Sequence, residues 1–162
     1  NGLTFDPDGT LWLATDGGIS AFDGKHWENF PMEQFCPEQR CSYGEAPITA
    51  SDIDSAPDGT IWFIAQHQAL YQYNKGKWTN YKNHTLFMHP YYQITGLCVS
   101  NDGIPWMVNS GMPQLVYVDG DNWVAPRWYY DSSGVIYDIQ CAPDGAKWMG
   151  GVFAIFKYMP QN

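Results

Sequence analysis

The phrase Asp-Gly-x-x-Trp occurs four times along the 162 residues of this chain. Its tryptophans are Trp12, Trp62, Trp106 and Trp148, so successive copies lie 50, 44 and 42 residues apart. Self-similarity at such a period is the signature of repeat architectures, in which each unit buries a face only against its neighbour. The sequence therefore predicts four stacked copies of one structural unit.

Each unit reads as short strands joined by tight turns. Segments 11–15 and 61–65, which follow the Asp-Gly turn, are rich in apolar, β-branched and aromatic residues, as is typical of strands. An apolar stretch precedes each turn, and an alternating segment follows and leads through another turn to a second tryptophan in three units. Four strands in about 40 to 45 residues indicate a β-propeller blade. We predict an all-β propeller of four-stranded antiparallel blades at about 1–30, 48–81, 93–128 and 135–162.

One large ring at a fixed place in every unit suits the space where neighbouring blades pack face to face. We therefore predict structural roles in inter-blade packing, rather than ligand binding, for the four repeat tryptophans. These are Trp12, Trp62, Trp106 and Trp148.

The first unit resembles the two-component regulator propeller repeat, whose pattern is approximately Asp-x-x-Gly-x-Leu-Trp-x-x-Thr-x-x-Gly-Leu-x-x-Phe. Residues 6–22 follow this pattern closely, whereas Asn109 stands in the third unit where the first has Thr15. The resemblance implies the extracytoplasmic sensory part of a bacterial membrane-bound regulator, or a secreted or surface protein. It implies a binding or sensing scaffold but no particular ligand, because propellers host unrelated functions.

The spacing of the second tryptophans predicts an unfinished last blade. Trp27, Trp78 and Trp123 lie 15, 16 and 17 residues after the first tryptophan of their units, so a fourth is expected at about 163 to 165. We expect the fourth blade to lack its outer strand and the segment to belong to a larger ring. A self-contained four-bladed ring and a homodimer that closes an eight-bladed ring are the alternatives.

Composition excludes two classes of partner. Eight basic and seventeen acidic residues give a net charge of -9, without a Lys/Arg cluster. Nucleic acid and anionic lipid surfaces are therefore not expected partners. No run of 18 apolar residues occurs, so no direct membrane insertion is predicted. The expected partners are a glycan, peptide or protein ligand, further blades of the same chain, or a second copy.

The four cysteines indicate the cellular compartment of the protein. Cys36 and Cys41 lie in the longest loop, which favours a local disulfide and a periplasmic, secreted or surface location. Half of a metal site is the alternative, but no second ligand pair has suitable spacing. Cys98 and Cys141 lie four and three residues before their repeat aspartates and should point to opposite blade faces. We expect them to be buried free thiols.

No catalytic residue, metal site or cofactor is predicted. Gly-x-Ser-x-Gly is absent, and the four histidines share no metal-binding spacing. The streptogramin lyase propellers have similar blades and use His and Glu with magnesium, but their Gly-Asn-x-Trp-Phe-Thr phrase is missing. A lyase-type enzyme is kept only as the second alternative.

The candidate binding residues lie on one side of the disc. The Asp-Gly turns occupy the other side, whereas the long connections 31–48, 82–93 and 127–134 share this one. Because function concentrates on loops displayed by a rigid scaffold, we predict a non-catalytic extracytoplasmic sensory or binding propeller that uses this long-loop face. A structural subunit or spacer of a surface assembly is the first alternative. The alternative role of the loop aromatics at 91–92 and 128–130 is to fill the seam between blades. The candidate binding residues are Tyr43, Glu45, His84, His89, Tyr91, Tyr92, Arg127, Trp128, Tyr129, Tyr130 and Asp131.

Overall fold

The computed structural model describes residues 2–35, 49–65, 69–81, 93–111, 114–127 and 135–160. They form four antiparallel meander sheets, and strand order in each sheet follows chain order. The first three blades have four strands and the last has three among the described residues, which confirms the predicted fold class. Blade by blade the strands are β1 Leu3–Phe5, β2 Leu11–Thr15, β3 Gly18–Phe22, β4 Trp27–Pro31; β5 Ala50–Ser55, β6 Ile61–Ala65, β7 Ala69–Asn74, β8 Lys77–Tyr81; β9 Ile94–Val99, β10 Pro105–Asn109, β11 Leu115–Asp119, β12 Asn122–Val124; and β13 Ile136–Cys141, β14 Lys147–Gly151, β15 Ile155–Tyr158.

The repeated Asp-Gly phrase forms the turn between the first two strands of each blade. In blade three, the Gly103 amide donates to the Ser100 carbonyl oxygen at 2.8 Å, and the Ile104 amide donates to Asp102 Oδ1 at 3.2 Å. The glycine has a φ of 82°, a backbone conformation that residues with a Cβ resist. The aspartate and the glycine are thus both explained by the turn itself.

The core consists of three seams, each between two consecutive blades. Trp12 of blade one belongs to the same buried cluster as Phe63 and Tyr71 of blade two, and its ring lies 5.4 Å from that of Tyr73 in the first seam. Trp62 lies in the second seam, between blades two and three, and Trp106 lies in the third, between blades three and four. Trp148 differs, because its side chain is 43% exposed on the face of blade four that has no neighbouring blade among the described residues.

The second tryptophan of a blade closes the seam with the preceding blade. Trp78 is the Cα partner of Tyr73 in the β7–β8 pair and lies against the first seam, with its ring centroid 5.2 Å from that of Phe30. Trp123 occupies the equivalent position, opposite Val118, against the second seam. These rings therefore extend the apolar core toward the rim of the disc.

The prediction of free thiols at Cys98 and Cys141 is wrong. The two residues form a disulfide between β9 and β13, with their Cα atoms 5.5 Å apart. The opposite orientation predicted from the sequence is what such a link requires. One face of a blade packs against the next blade, and its other face packs against the preceding blade. Side chains on opposite faces of two consecutive blades therefore meet in one seam.

Candidate functional site

Most of the predicted loop residues lie outside the described residues. Arg127 is described and is exposed. The candidate disulfide between Cys36 and Cys41 also falls outside, as do Tyr43, Glu45, His84, His89, Tyr91, Tyr92, Trp128, Tyr129, Tyr130 and Asp131. Their binding roles remain predictions.

The described part of the long-loop face has a shallow concavity of about 240 Å³ on blade one, beside the turn between β2 and β3. Thr15 Oγ1 donates to the Gly18 carbonyl oxygen at 2.9 Å, and Ser20 Oγ donates to Asn29 Oδ1 at 2.8 Å. These bonds use much of the polar capacity of its lining, so the concavity offers few groups to a ligand.

A larger cleft, of about 640 Å³, opens over the third seam on the Asp-Gly side of the disc. No site is predicted from the sequence on this side of the disc. Its volume is in the range of small-molecule and side-chain pockets. We call it the seam cleft; its lining comprises Ser100, Asn101, Asp102, Ile104, Trp106 and Tyr117 of blade three, and Pro143, Asp144, Gly145, Lys147, Tyr158, Met159 and Pro160 of blade four.

Lys147 lines the seam cleft and is not among the residues predicted from the sequence. The residue immediately before the repeat tryptophan is apolar in the other units, namely Leu11, Ile61 and Pro105. Lys147 is nevertheless only 2% exposed. A lysine where the other units have an apolar residue is the sequence feature that could have identified this position.

The environment of the Lys147 ammonium is partly aromatic. Nζ lies 4.7 Å from the ring centroid of Trp106 and donates to the Gly145 carbonyl oxygen at 2.9 Å. Burial lowers the pKa of Lys147, and the negative charges of Asp102 and Asp144 oppose this shift. Among the described residues, the ammonium is thus held by a cation–π contact and a carbonyl oxygen, without a direct ion pair.

Two turn aspartates give the rim of the seam cleft its negative charge. Burial alone would raise the pKa of Asp102, but hydrogen bonds from the Ser100 hydroxyl and the Ile104 amide lower it. Ser100 Oγ donates to Asp102 Oδ1 at 2.6 Å. At Asp144 the amide of Ala146 lowers the pKa. Both carboxylates are ionised at neutral pH.

Aromatic rings form the inner wall of the seam cleft. The rings of Trp106 and Tyr117 stack with centroids 4.4 Å apart, and the ring of Tyr158 lies 5.8 Å from that of Trp106. Burial, and to a lesser extent Tyr117, raises the pKa of Tyr158, so its hydroxyl stays protonated at neutral pH. The inner wall of the seam cleft is therefore aromatic and lies beneath a carboxylate rim.

A second group of acids joins the innermost strands of blades two and three. Asp52 and Asp54 accept hydrogen bonds from the amides of Leu97 and Val99 at 2.8 and 2.7 Å. Burial raises the pKa of Asp52, although hydrogen bonds from the amides of Leu97 and Ile53 oppose the shift. Asp138 occupies the position of Asp52 in blade four and accepts from the Ile139 amide at 2.8 Å. Asp52 and Asp54 thus join blade two to blade three.

Neither a metal cluster nor a spanning helix is present in the described part of the chain. No group of three or more His, Cys, Asp or Glu side chains is placed there to hold a metal ion. The helical element described there, the 3-10 turn Met32–Gln34, is far from the length and apolarity that crossing a membrane requires.

Comparison with known proteins supports the architecture. No protein-family model matches the sequence, and no curated protein matches it. Solved structures do match. The extracellular domain of BT4673 from B. thetaiotaomicron, assigned to a hybrid two component system, has a TM-score of 0.68 at 13% identity, covering 96% of this chain and 20% of that one.

Two other similar structures have different functions. PorZ, a surface component of the type-IX secretion system of Porphyromonas gingivalis, has a TM-score of 0.68 at 18% identity, covering 91% of this chain and 22% of that one. Virginiamycin B lyase from Staphylococcus aureus has a TM-score of 0.66 at 14% identity, covering 98% and 55%. The chain thus spans from about a fifth to about half of the length of these structures. At such identities the likeness shows the β-propeller fold alone.

Proposed function

We propose that this chain is an extracytoplasmic, non-catalytic sensory or binding propeller of the two-component regulator type, which recognises a glycan, peptide or partner protein on its long-loop face. The first unit supports the repeat family through its sequence pattern. Extracellular and surface propellers among the similar structures support the same class of role. Long, chemically varied loops on a rigid scaffold support recognition as the activity.

The observation that carries this proposal is the disulfide between Cys98 and Cys141. Disulfides persist in oxidising compartments such as the periplasm and the cell exterior and are rare in the cytosol. This one links the innermost strands of two blades across a buried seam, so it fixes the scaffold from which the loops project.

A binding screen tests the proposal. The purified chain is applied to a glycan array and to a peptide library, and any ligand found is titrated against Arg127→Ala, Trp128→Ala and Tyr91→Ala. We expect at least one of these substitutions to weaken binding by about tenfold or more. Trp27→Ala is the matched control, because Trp27 is exposed but lies at the start of β4, on the opposite side of the disc.

Binding that survives all three loop substitutions would contradict the long-loop assignment. A stable multimer without any ligand would favour the structural role instead. One observation supports that second candidate: Val152 and Phe153, in the turn between β14 and β15, and Ile155 of β15 are exposed, and exposed apolar patches mark interaction surfaces.

A further inference from the structure

The innermost strands of blades two and three are joined by carboxylates. Asp52 Oδ2 accepts a hydrogen bond from the Leu97 amide of β9 at 2.8 Å, and Asp54 Oδ2 accepts one from the Val99 amide at 2.7 Å. The third seam has a disulfide between its innermost strands, β9 and β13. A disulfide does not titrate, whereas an aspartate changes its charge and its hydrogen-bonding capacity when it takes up a proton. The second seam therefore has a chemistry that can respond to pH.

Each carboxylate uses its two oxygens for two different blades. Asp52 Oδ1 accepts from the Ile53 amide of its own strand at 2.9 Å, while Oδ2 accepts from Leu97. Asp54 repeats the arrangement, with Oδ1 accepting from the amide of the next residue at 2.8 Å and Oδ2 accepting from β9. Two accepting oxygens are a property of the ionised carboxylate, because a protonated carboxyl group carries a donor on one of them. The two-sided bond therefore needs the carboxylate to be charged.

The repeat leaves room for these carboxylates on alternate blades. The residue six positions before the repeat aspartate is a glycine in blades one and three, Gly2 and Gly96, and an aspartate in blades two and four, Asp52 and Asp138. A Cβ on Gly2 would lie 2.5 Å from Asp52 Oδ1, and a Cβ on Gly96 would lie 3.0 Å from the Cα of Asp138. Each glycine thus makes space for the aspartate of the following blade, and the position of Asp52 is built into the repeat.

The charged groups that act most strongly on Asp52 are two acids. Asp54 lies on the same strand and Asp138 lies on β13; both raise the pKa of Asp52, although burial makes the largest contribution. The strands that pack most closely against β5 are β1, β2, β6 and β9. These strands contain no Asp, Glu, His, Lys or Arg, and the cysteine of β9 is in the disulfide. Backbone amides therefore hold the ionised form, without a basic side chain from those strands.

The raised pKa sets the order of events during acidification. Between the ordinary aspartate pKa of about 3.9 and the raised pKa of Asp52, the folded chain holds more protons at this residue than the unfolded chain does. The contribution of Asp52 to the free energy of unfolding therefore falls as pH rises through this window and grows as pH falls. Asp52 thus takes up its proton in the folded protein and does not drive acid unfolding.

We propose that the second seam is a pH-sensitive joint, in which protonation of Asp52 releases the Leu97 amide and loosens the innermost strands of blades two and three while the blades themselves stay folded. The proton converts one accepting oxygen into a donor, so one of the two amides loses its acceptor. The Ile53 amide is held beside Asp52 by the chain, whereas the Leu97 amide belongs to another blade, so the inter-blade bond is the one that is lost. The joint does not depend on what the long-loop face binds, so it stands or falls separately from the proposed function.

Hydrogen exchange of single amides tests the joint. The purified chain is followed by NMR from about pH 7 to about pH 4, and each rate is converted to a protection factor so that the intrinsic pH dependence of exchange cancels. We expect the protection factor of the Leu97 amide to fall by about tenfold or more as pH decreases, the equivalent of one hydrogen bond to a charged group. The amides of Val108 and Met149, which belong to the core of the third seam, should keep their protection.

Protein variants assign the effect to one carboxylate. Asp52→Asn offers one acceptor oxygen instead of two, so the Leu97 amide should show low protection at every pH. Asp119→Asn is the matched control, since Asp119 is an exposed aspartate at the end of β11 in blade three, and it should keep the wild-type profile. Asp138→Asn removes one of the negative charges that raise the pKa of Asp52, so the loss of Leu97 protection should move to lower pH.

The carbon-13 resonance of the Asp52 carboxyl group, followed in the wild type over the same pH range, keeps the test decisive if Asp52→Asn does not fold. The loss of Leu97 protection should have the same midpoint as this resonance. Different midpoints, an unchanged Leu97 protection factor or a wild-type profile in Asp52→Asn would overturn the proposal. A simultaneous loss of protection at Val108 and Met149 would also overturn it, in favour of acid unfolding of the whole chain.

Discussion

The first and third seams join equivalent blade faces by different chemistry. The first is aromatic: the ring of Phe63 lies 5.0 Å from those of Phe35 and Tyr71, and 5.5 Å from that of Trp78. The third has Met149 in the position of Phe63 and adds the disulfide between Cys98 and Cys141.

The two seams also differ in the side chains that join their innermost strands. In the first seam, Thr4 Oγ1 donates to Asp54 Oδ1 at 3.1 Å and Ser55 Oγ donates to the Phe5 carbonyl oxygen at 2.8 Å. In the third, the cysteines occupy the positions of Thr4 and Ser55 relative to the repeat aspartates. A repeat fold fixes where two blades must be joined but leaves open the chemistry that joins them.

The largest expected effect comes from truncating the aromatic seam. Phe63→Ala should lower the free energy of unfolding by about 3–5 kcal/mol, because it removes a fully buried ring and leaves a cavity among three others. Urea denaturation measures the loss. Met149→Ala is the matched variant at the equivalent buried position and should cost about 1 kcal/mol less. A larger loss at Met149 would reverse the comparison.

Removing the disulfide should have the next largest effect. Cys98→Ala with Cys141→Ala opens a link across a sequence separation of 43 residues, and the loss of the constraint on the unfolded chain should cost about 3–4 kcal/mol. Non-reducing urea denaturation is the measurement. Cys36→Ala with Cys41→Ala is the control, because its shorter predicted loop gives about 2 kcal/mol. An unchanged midpoint for the first pair would show that packing alone holds the third seam.

The smallest effect is expected at Lys147. Lys147→Leu restores the residue type of blade one. It should change the free energy of unfolding by about 1 kcal/mol or less in either direction, because the substitution removes both the cost of burying a charged ammonium and the favourable contacts that the ammonium makes. A loss above about 2 kcal/mol would make the ammonium an essential part of the seam.

The pH dependence of Lys147→Leu gives a second readout. Because burial lowers the pKa of Lys147 in the folded state, the unfolded chain binds more protons in the window just below pH 10.5, and stability rises with pH there. The leucine variant should lack this rise. Lys157→Leu, at an exposed lysine 3.6 Å from Asp144, should retain it.

Much of the fold could be predicted from the sequence, because each repeat determines its own turns and strands locally. The Asp-Gly turn is fixed by a glycine with positive φ and, in blades two to four, by a hydrogen bond from an amide to the aspartate two residues before it. Both features depend on residues close together in sequence. The strands on either side follow from their alternating or continuously apolar composition.

The residues of the seam cleft and of the third seam could be predicted less well. Lys147 is conspicuous against Leu11, Ile61 and Pro105, but the sequence does not reveal that its ammonium lies over a tryptophan 41 residues away in the chain. The free-thiol prediction for Cys98 and Cys141 failed for a related reason. Their opposite orientation was deduced within single blades, whereas the bond depends on how two blades face each other.

The sequence by itself thus determined the propeller blade and its turns, because each of these depends on local backbone preferences and on a period that repeats along the chain. Only the tertiary structure decided that two cysteines join blades three and four, that a lysine is buried beneath the seam cleft and that Tyr158 lines this cleft. These features arise where residues from separate units meet, and the contact is set by the stacking of whole sheets.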